Sequence, residues 1–215
     1  MKFDNYASHL HIFEKVFATF EIKKVLEFGL GKFSTPFFAN HAELVVSVEQ
    51  ESKEWYEKIK TQINSANWHP VFQPDPQIVF EQFDAKNENF DLVFSDGAAK
   101  TRCLAANLVM ERNVPVVVLH DTEMVWYYQW NLLSIPANYA RFNFRHQKGV
   151  NKVTTILANA NQSILEQWDI PDHDRILQIY SSPCQPVIQL RYDEVGVPLS
   201  KTTSGQVEPM TQNIL

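Results

Sequence analysis

The chain has 215 residues, of which 45% are hydrophobic and 20% are charged, and its formal net charge is −6 at pH 7. The length is sufficient for one substantial α/β domain and does not require a second, and the composition is ordinary for a soluble globular protein. The negative charge and the scattered basic residues argue against a nucleic-acid-binding protein, since such proteins cluster their basic residues. The two cysteines, Cys103 and Cys184, lack metal-ligand spacing. We expect them to be free thiols in a reducing compartment.

The amino-terminal segment predicts a helix rather than a signal peptide or a membrane anchor. Polar residues such as His9 and Glu14 interrupt its apolar runs. The most continuous apolar run of the chain, 114–119, is too short to cross a bilayer. We therefore expect a cytoplasmic protein with no membrane partner. Apolar residues recur at steps of three and four over residues 4–20, which predicts an amphipathic helix with Asp4 at its N-cap.

The next two predicted strands end in glycine and acidic residues. A β-type run over 24–28 stops at Gly29-Leu30-Gly31, and a helix opening follows at 34–36. A second run over 44–48 is closed by Glu49, and Ser52 is then predicted to cap a helix. Prolines interrupt segment 68–83, which is predicted to contain one strand or two short ones.

Polar residues also end the following two strands. A strand over 90–94 is followed by Ser-Asp-Gly, and a helix over 98–112 is predicted to turn Leu104 and Leu108 inward. A nearly all-apolar strand over 114–119 then ends at His120-Asp121.

Two more β-type runs, 139–145 and 152–157, complete the pattern. Apolar strands that alternate with helices predict a doubly wound, Rossmann-like α/β sheet. We expect about seven mostly parallel strands with helices on both faces. Residues 1–165 are predicted to form this domain, and residues 166–215 a partly irregular C-terminal extension that is compatible with a homodimer.

Ligands of open parallel sheets bind at the carboxyl ends of the strands, so residues at these ends are the candidate site. Gly29 and Gly31 either make a tight turn or let the backbone approach a ligand closely. Glu49 is either a loop residue or the acceptor of two ribose hydroxyls. Asp84 is either a turn-former or an acceptor from an adenine amino group.

A second group comprises Asp96, His120 and Asp121, which are expected at adjacent strand ends. Such a group can hold a divalent cation or take a proton from a substrate hydroxyl. His120 can equally be a buried imidazole that pins a loop. The aromatic run over 126–130 can line a substrate pocket, although helix packing explains at least half of it.

The pattern Glu27-x-Gly29-x-Gly31-x-x-Ser34 departs from the dinucleotide fingerprint, because Ser34 replaces its third glycine. This departure favours an adenosine ligand without phosphates. An NAD-dependent oxidoreductase stays open as an alternative, as does a non-catalytic adenosine-binding module.

Four segments resemble the class I S-adenosylmethionine-dependent methyltransferases, and in particular the branch that includes small-molecule O-methyltransferases. They are KKVLEFGLGKFST, VVSVEQESKEWYEKI, FDLVFSDG and PVVVLHDTE, and the resemblance covers roughly residues 23–121. It implies S-adenosylmethionine as the cofactor and a small molecule as the methyl acceptor, with an oxygen as the expected target. No nucleic-acid partner is implied.

Carried over to this sequence, the resemblance assigns Glu27, Gly29 and Gly31 to the methionine end of the cofactor. It assigns Glu49 to the ribose and Asp84 to the adenine.

In metal-dependent relatives such as catechol O-methyltransferase, the positions of Asp96, His120 and Asp121 bind magnesium. His120 matches a hard cation poorly, so we predict no metal. His120 or Asp121 is instead expected to remove the acceptor's proton, with Asp96 orienting one of them.

Overall fold

The structure is a computed structural model that describes residues 9–145, 152–159 and 175–180. Its α-helices in these ranges are α1 (Leu10–Thr19), α2 (Ser34–His41), α3 (Lys53–Gln62), α4 (Pro76–Ala85) and α5 (Arg102–Glu111). Its strands are β1 (Lys24–Phe28), β2 (Leu44–Glu49), β3 (Trp68–Phe72), β4 (Leu92–Ser95), β5 (Val116–Leu119), β6 (Ala140–Arg145), β7 (Val153–Ala158) and β8 (Arg175–Tyr180). A short 3-10 helix spans Trp130–Leu132.

The eight described strands form one sheet in the order β3-β2-β1-β4-β5-β7-β6-β8. Strands β1 to β5 are parallel, and β7, β6 and β8 pair antiparallel at one side. The chain runs outward from β1 to β3, then returns to place β4 on the other side of β1. The predicted doubly wound fold is therefore confirmed, and its topological switch point lies between β1 and β4.

Strand β8 lies beyond the predicted domain boundary at residue 165. It pairs antiparallel with β6 and so belongs to the same sheet. The predicted extension therefore contributes a strand to the domain. The rest of the extension, including Cys184, lies outside the described residues, as does the predicted N-cap Asp4.

Two apolar clusters cover the faces of the sheet. One packs α1, α2 and α3 against strand residues such as Val25, and the other packs α4 and α5 against residues such as Leu26. Consecutive residues of β1 thus face opposite clusters, as the alternation of side chains in a strand requires. Because both faces are covered, most residues of the central strands are apolar, and Glu27 of β1 and Ser47 of β2 are buried polar exceptions.

Helix α4 corrects the prediction for residues 68–83, which expected strands only. Asp75 accepts a hydrogen bond from the Gln77 backbone at 2.8 Å, and Pro76 begins the helix. A proline in the first helical turn loses no hydrogen bond. Pro76 therefore starts this helix rather than breaking it, and Phe80 and Phe83 are buried on its inner face.

The predicted orientation of α5 is also wrong in part. Leu104 is 46% exposed, whereas its neighbours Cys103 and Ala105 are buried. Leu108 does pack against the core, where it is partly buried. Helix α1 begins at Leu10, and its described N-cap position is His9. Among the described residues, no helix has the length and apolar character needed to cross a membrane.

Candidate active site

A glycine turn forms the centre of the crevice at the switch point. The Gly29 backbone N–H donates to the Val48 carbonyl at 2.7 Å, and the Asp96 N–H donates to the Phe28 carbonyl at 2.9 Å. Gly29 has φ of 95°, and a Cβ atom there would lie 2.5 Å from the Asp96 carbonyl oxygen. Only glycine therefore fits this point, where the ends of β1 and β4 meet.

Glu27 stabilises the glycine turn through buried hydrogen bonds. Its fully buried carboxylate accepts hydrogen bonds from Ser34 at 2.5 Å, Thr35 at 2.7 Å and Ser47 at 2.6 Å. Burial raises its pKa to about 7, although the three hydroxyl donors oppose the rise. The Gly31 N–H in turn donates to the Thr35 hydroxyl at 2.9 Å. Glu27 therefore fixes the shape of the turn, and Ser34, which replaces the third fingerprint glycine, serves this network.

Glu49 lies at the end of β2, beside the turn. One of its oxygens accepts from the backbone N–H groups of Glu51 at 2.9 Å and Ser52 at 3.0 Å. These bonds hold the carboxylate at the start of α3, with 8% of the residue exposed. The structure thus places Glu49 in the crevice.

Gln50 also faces this crevice, and the sequence reasoning missed it. Its Oε1 accepts from the Ala98 N–H at 3.3 Å. Its Nε2 is buried and has no hydrogen-bond partner within the described ranges. A buried amide donor without an acceptor is costly, so this atom is suited to a ligand. The one sequence feature that could have indicated Gln50 is its position directly after Glu49, at the end of β2.

Asp96, His120 and Asp121 are brought together as expected. His120 Nδ1 lies 3.3 Å from Asp96 Oδ1 and 3.2 Å from Asp121 Oδ1. Burial alone would lower the pKa of His120, but the two carboxylates outweigh burial and raise it to about 10. His120 is therefore an imidazolium held between two carboxylates at neutral pH.

Two cations, from the start of α5 and from the residue before β7, complete this cluster. Arg102 Nη2 lies 3.0 Å from Asp96 Oδ1, and Lys152 Nζ lies 2.7 Å from Asp121 Oδ1. Burial alone would raise the pKa of Asp96, but the charges of His120 and Arg102 lower it below its ordinary value. Burial is likewise outweighed at Asp121, whose pKa lies well below its ordinary value because of His120 and Lys152.

Comparisons of whole structures relate this architecture to known proteins. An O-methyltransferase from Bacillus cereus in complex with SAH has a TM-score of 0.57 and 16% sequence identity, over 74% of this chain and 82% of that chain. The O-methyltransferase TomG from Streptomyces achromogenes, in complex with SAM, has a TM-score of 0.52 and 15% identity, over 72% and 79%. The chain has the class I methyltransferase fold. No family model and no curated protein sequence matches it.

Asp84, the predicted adenine contact, does not lie in the crevice at the switch point between β1 and β4. Asp84 lies in the last turn of α4, where both its oxygens pair with Arg112, at 2.6 and 3.1 Å. It lines a surface pocket with Asp91 and Val114, which precede β4 and β5. Asp84 is therefore at the amino edge of the sheet, opposite the glycine turn. The prediction placed it after a strand because α4 was not foreseen.

The magnesium position of metal-dependent relatives does not fit the residues of this chain. Asp96 and Asp121 already contact Arg102 and His120, and Asp121 also contacts Lys152. Magnesium requires near-octahedral oxygen ligands, whereas here three cationic side chains surround two carboxylates.

The aromatic run divides between surface and core. Trp126 and Tyr127 are 60% and 63% exposed, whereas Trp130 is fully buried. Tyr128 connects the two groups: its hydroxyl lies 3.2 Å from Asp121, and the Arg102 guanidinium lies 3.7 Å from its ring centre. Trp130 is therefore a core residue. The exposed rings of Trp126 and Tyr127 are close in sequence to Asp121, a member of the charged cluster.

His9 is a further residue of the site that the sequence reasoning missed. It is 2% exposed at the start of α1, and its ring stands perpendicular to that of His120 with 4.9 Å between centres. Burial, together with the charge of His120, lowers its pKa to about 3. His9 is therefore neutral beside a charged imidazole. In the sequence its only signal was a polar residue within an apolar run.

Proposed function

We propose that this chain is an S-adenosylmethionine-dependent methyltransferase that methylates an oxygen of a small molecule. One observation carries the proposal: the glycine turn at the switch point directly contacts the strand end that bears the charged cluster. Gly29 approaches the Asp96 backbone so closely that no side chain fits between them. A cofactor at the turn and an acceptor at the cluster would therefore be neighbours.

The cofactor contacts follow from the crevice. The Gly29–Gly31 turn, braced by Glu27, would face the methionine end, as the sequence resemblance also implies. Glu49 is held at the end of β2, where an acid can accept ribose hydroxyls. The Gln50 Nε2, which lacks an acceptor in the described part of the chain, would donate to the ligand. These contacts involve no phosphate-binding feature, which is consistent with the missing third glycine.

Bound S-adenosylmethionine would supply a methyl group on an electron-poor sulfonium. The protein's part is to hold the acceptor oxygen in line with that methyl group and to exclude water. The positive charges of His120 and Arg102 would favour the ionised form of an acceptor hydroxyl. Since His120 already carries its proton, the hydroxyl proton would pass to a carboxylate. Asp96 suits this role best because its side chain is 27% exposed, against 10% for Asp121.

The class of acceptor is supported by the neighbours and by the surface. Both solved structures named above are O-methyltransferases, and one is involved in tomaymycin synthesis. The exposed Trp126 and Tyr127 would offer flat apolar contacts to a small organic acceptor. A cytoplasmic location, a homodimer and the lack of a nucleic-acid partner stay predictions from the sequence.

The decisive experiment is a calorimetric titration of the full chain with S-adenosylhomocysteine, with NAD titrated in parallel. Micromolar binding of S-adenosylhomocysteine alone is expected. Binding of NAD alone would favour the oxidoreductase alternative, and binding of neither would refute an adenosine cofactor. A panel of hydroxylated acceptors, assayed for S-adenosylhomocysteine release, then separates an enzyme from a non-catalytic binding module.

A further inference from the structure

His9 presents an unusual buried imidazole. Only 2% of it is exposed, and neither ring nitrogen has a hydrogen-bond partner among the described residues. Buried polar side chains are nearly always paired, so both nitrogens of one ring without a partner point to a missing ligand. The backbone of His9 is fixed, because its carbonyl accepts from the N–H groups of Ile12 and Phe13 at the start of α1.

The ligand atoms around this ring converge. One nitrogen each of His9 and His120 and a carboxylate oxygen of Asp96 all lie within 4.8 Å of one another. Zinc binds imidazole nitrogen at about 2.0–2.1 Å and carboxylate oxygen at about 2.0–2.2 Å. Two ligands of one ion therefore lie at most roughly 4 Å apart. A small closure of the three side chains would bring them into bonding range.

The types of these three ligand atoms indicate which metal ions the site would bind. Two imidazoles and one carboxylate suit zinc, iron(II), cobalt(II) or nickel(II), whereas magnesium prefers oxygen ligands throughout. We propose that His9, Asp96 and His120 form a binding site for such a divalent transition metal ion. The His9 ligand comes from the N-cap position of helix α1, which precedes the sheet, so this set differs from the magnesium positions of metal-dependent relatives. The proposal concerns metal binding alone and does not rest on the proposed methyl transfer.

The ion would replace the proton of His120, since a metal-bound imidazole is neutral, and metal binding would therefore release a proton. The contacts of Asp96 with Arg102 and His120 both use its Oδ1 atom. A carboxylate can bind a metal ion through a single oxygen, so the other oxygen can keep the ion pair with Arg102. Asp121 and Lys152 would stay paired next to the ion, at 2.7 Å. Three protein ligands leave a coordination position open, as in catalytic metal sites.

The test uses the full chain after treatment with a chelator and its removal. Cobalt(II) is titrated while the visible absorption is recorded, and zinc and magnesium are titrated by calorimetry. One equivalent of cobalt with the absorption of a four- or five-coordinate site is expected, with micromolar or tighter zinc binding and no comparable magnesium binding. Absence of cobalt and zinc binding, or preference for magnesium, would overturn the proposal.

Variants locate the site. His9→Gln is expected to weaken zinc and cobalt binding at least tenfold, whereas the matched control His69→Gln, at an exposed position of β3, should bind as the wild type does. Unchanged binding by His9→Gln would refute the assignment. If circular dichroism shows that His9→Gln does not fold, Asp96→Asn replaces it in the test. A tenfold loss of zinc and cobalt binding by Asp96→Asn would support the assignment, and unchanged binding would refute it. If the chain binds S-adenosylhomocysteine but not zinc, the metal-site proposal alone is overturned. If it binds zinc but not S-adenosylhomocysteine, only the proposed cofactor is overturned.

Discussion

Replacing Glu27 by glutamine should make the protein less sensitive to rising pH. The pKa of Glu27 is raised by burial from 4.5 to about 7. A carboxyl whose pKa is higher in the folded than in the unfolded protein binds more protons when folded. Its favourable contribution is complete below pH 4.5 and is lost as the pH rises through about 7. Glutamine keeps the shape of the side chain but cannot ionise, so Glu27→Gln removes this loss.

The magnitude follows from the two pKa values. At about 1.36 kcal/mol for each pKa unit, the gap between 4.5 and about 7 corresponds to roughly 3 kcal/mol. Most of this difference should develop between about pH 5 and pH 8. Urea unfolding of both proteins across this range gives the free energy of unfolding at each pH. We expect the wild type to lose roughly 2–3 kcal/mol relative to Glu27→Gln as the pH rises.

Comparing the two proteins isolates Glu27, because other titrating groups such as His120 contribute equally to both. Glu43→Gln, at an exposed position between α2 and β2, is the matched control and should give a difference that does not change with pH. A constant difference for Glu27→Gln would refute the reasoning. If the variant instead became relatively less stable at high pH, the three hydroxyl donors would be stabilising an ionised Glu27 more than burial penalises it.

Three further predictions concern the site. Gly29→Ala should weaken S-adenosylhomocysteine binding at least tenfold in calorimetry, because the new Cβ displaces the turn from the Asp96 carbonyl; unchanged affinity would place the cofactor elsewhere. His120→Ala should lower turnover by about a hundredfold while S-adenosylhomocysteine affinity stays within about threefold, and equal loss of both would make His120 structural. Asp84→Asn should leave that affinity unchanged, because Asp84 pairs with Arg112 at the opposite edge of the sheet, and a tenfold loss would restore its predicted adenine contact.

The elements that could be predicted from sequence are those with local signals. The glycine turn after β1 and the acidic end of β2 follow short apolar runs, and Ser52 caps α3 as expected, accepting from the Trp55 N–H at 3.1 Å. Helix α4 escaped prediction because its start at Pro76 resembles a break, and a proline is tolerated only when it falls in the first turn. The inward face of α5 was misjudged because small residues, Ala105 and Ala106, pack against the sheet while a leucine faces outward.

The electrostatic partners of the site could not be predicted, because they depend on how the fold brings the ends of β4 and β5, the start of α5 and the residue before β7 together. Asp96, His120 and Asp121 were found from their positions at strand ends. The sequence did not show that Arg102, 6 residues after Asp96, lowers the pKa of Asp96, or that Lys152, 31 residues after Asp121, lowers the pKa of Asp121. From the sequence alone, His120 is expected to act as a neutral base. Because two carboxylates lie 3.3 and 3.2 Å from His120 and raise its pKa, it already carries a proton. It therefore cannot take the acceptor's proton as the sequence predicts, and Asp96 takes that role in the proposed reaction.

The position of His9 extends this argument to the choice of ion. His9 is separated from His120 by 111 residues, yet α1 packs against the sheet so that their rings meet at 4.9 Å. The strand-end residues Asp96, His120 and Asp121 alone resemble a site for a metal ion that prefers oxygen ligands, and His120 is a poor ligand for such an ion. Adding a second imidazole makes His120 part of a nitrogen-rich set, so the residue that argued against magnesium becomes an argument for a transition metal. Helix α1, which the sequence presented only as an amphipathic cover, would then supply the ligand that sets the metal preference of the site.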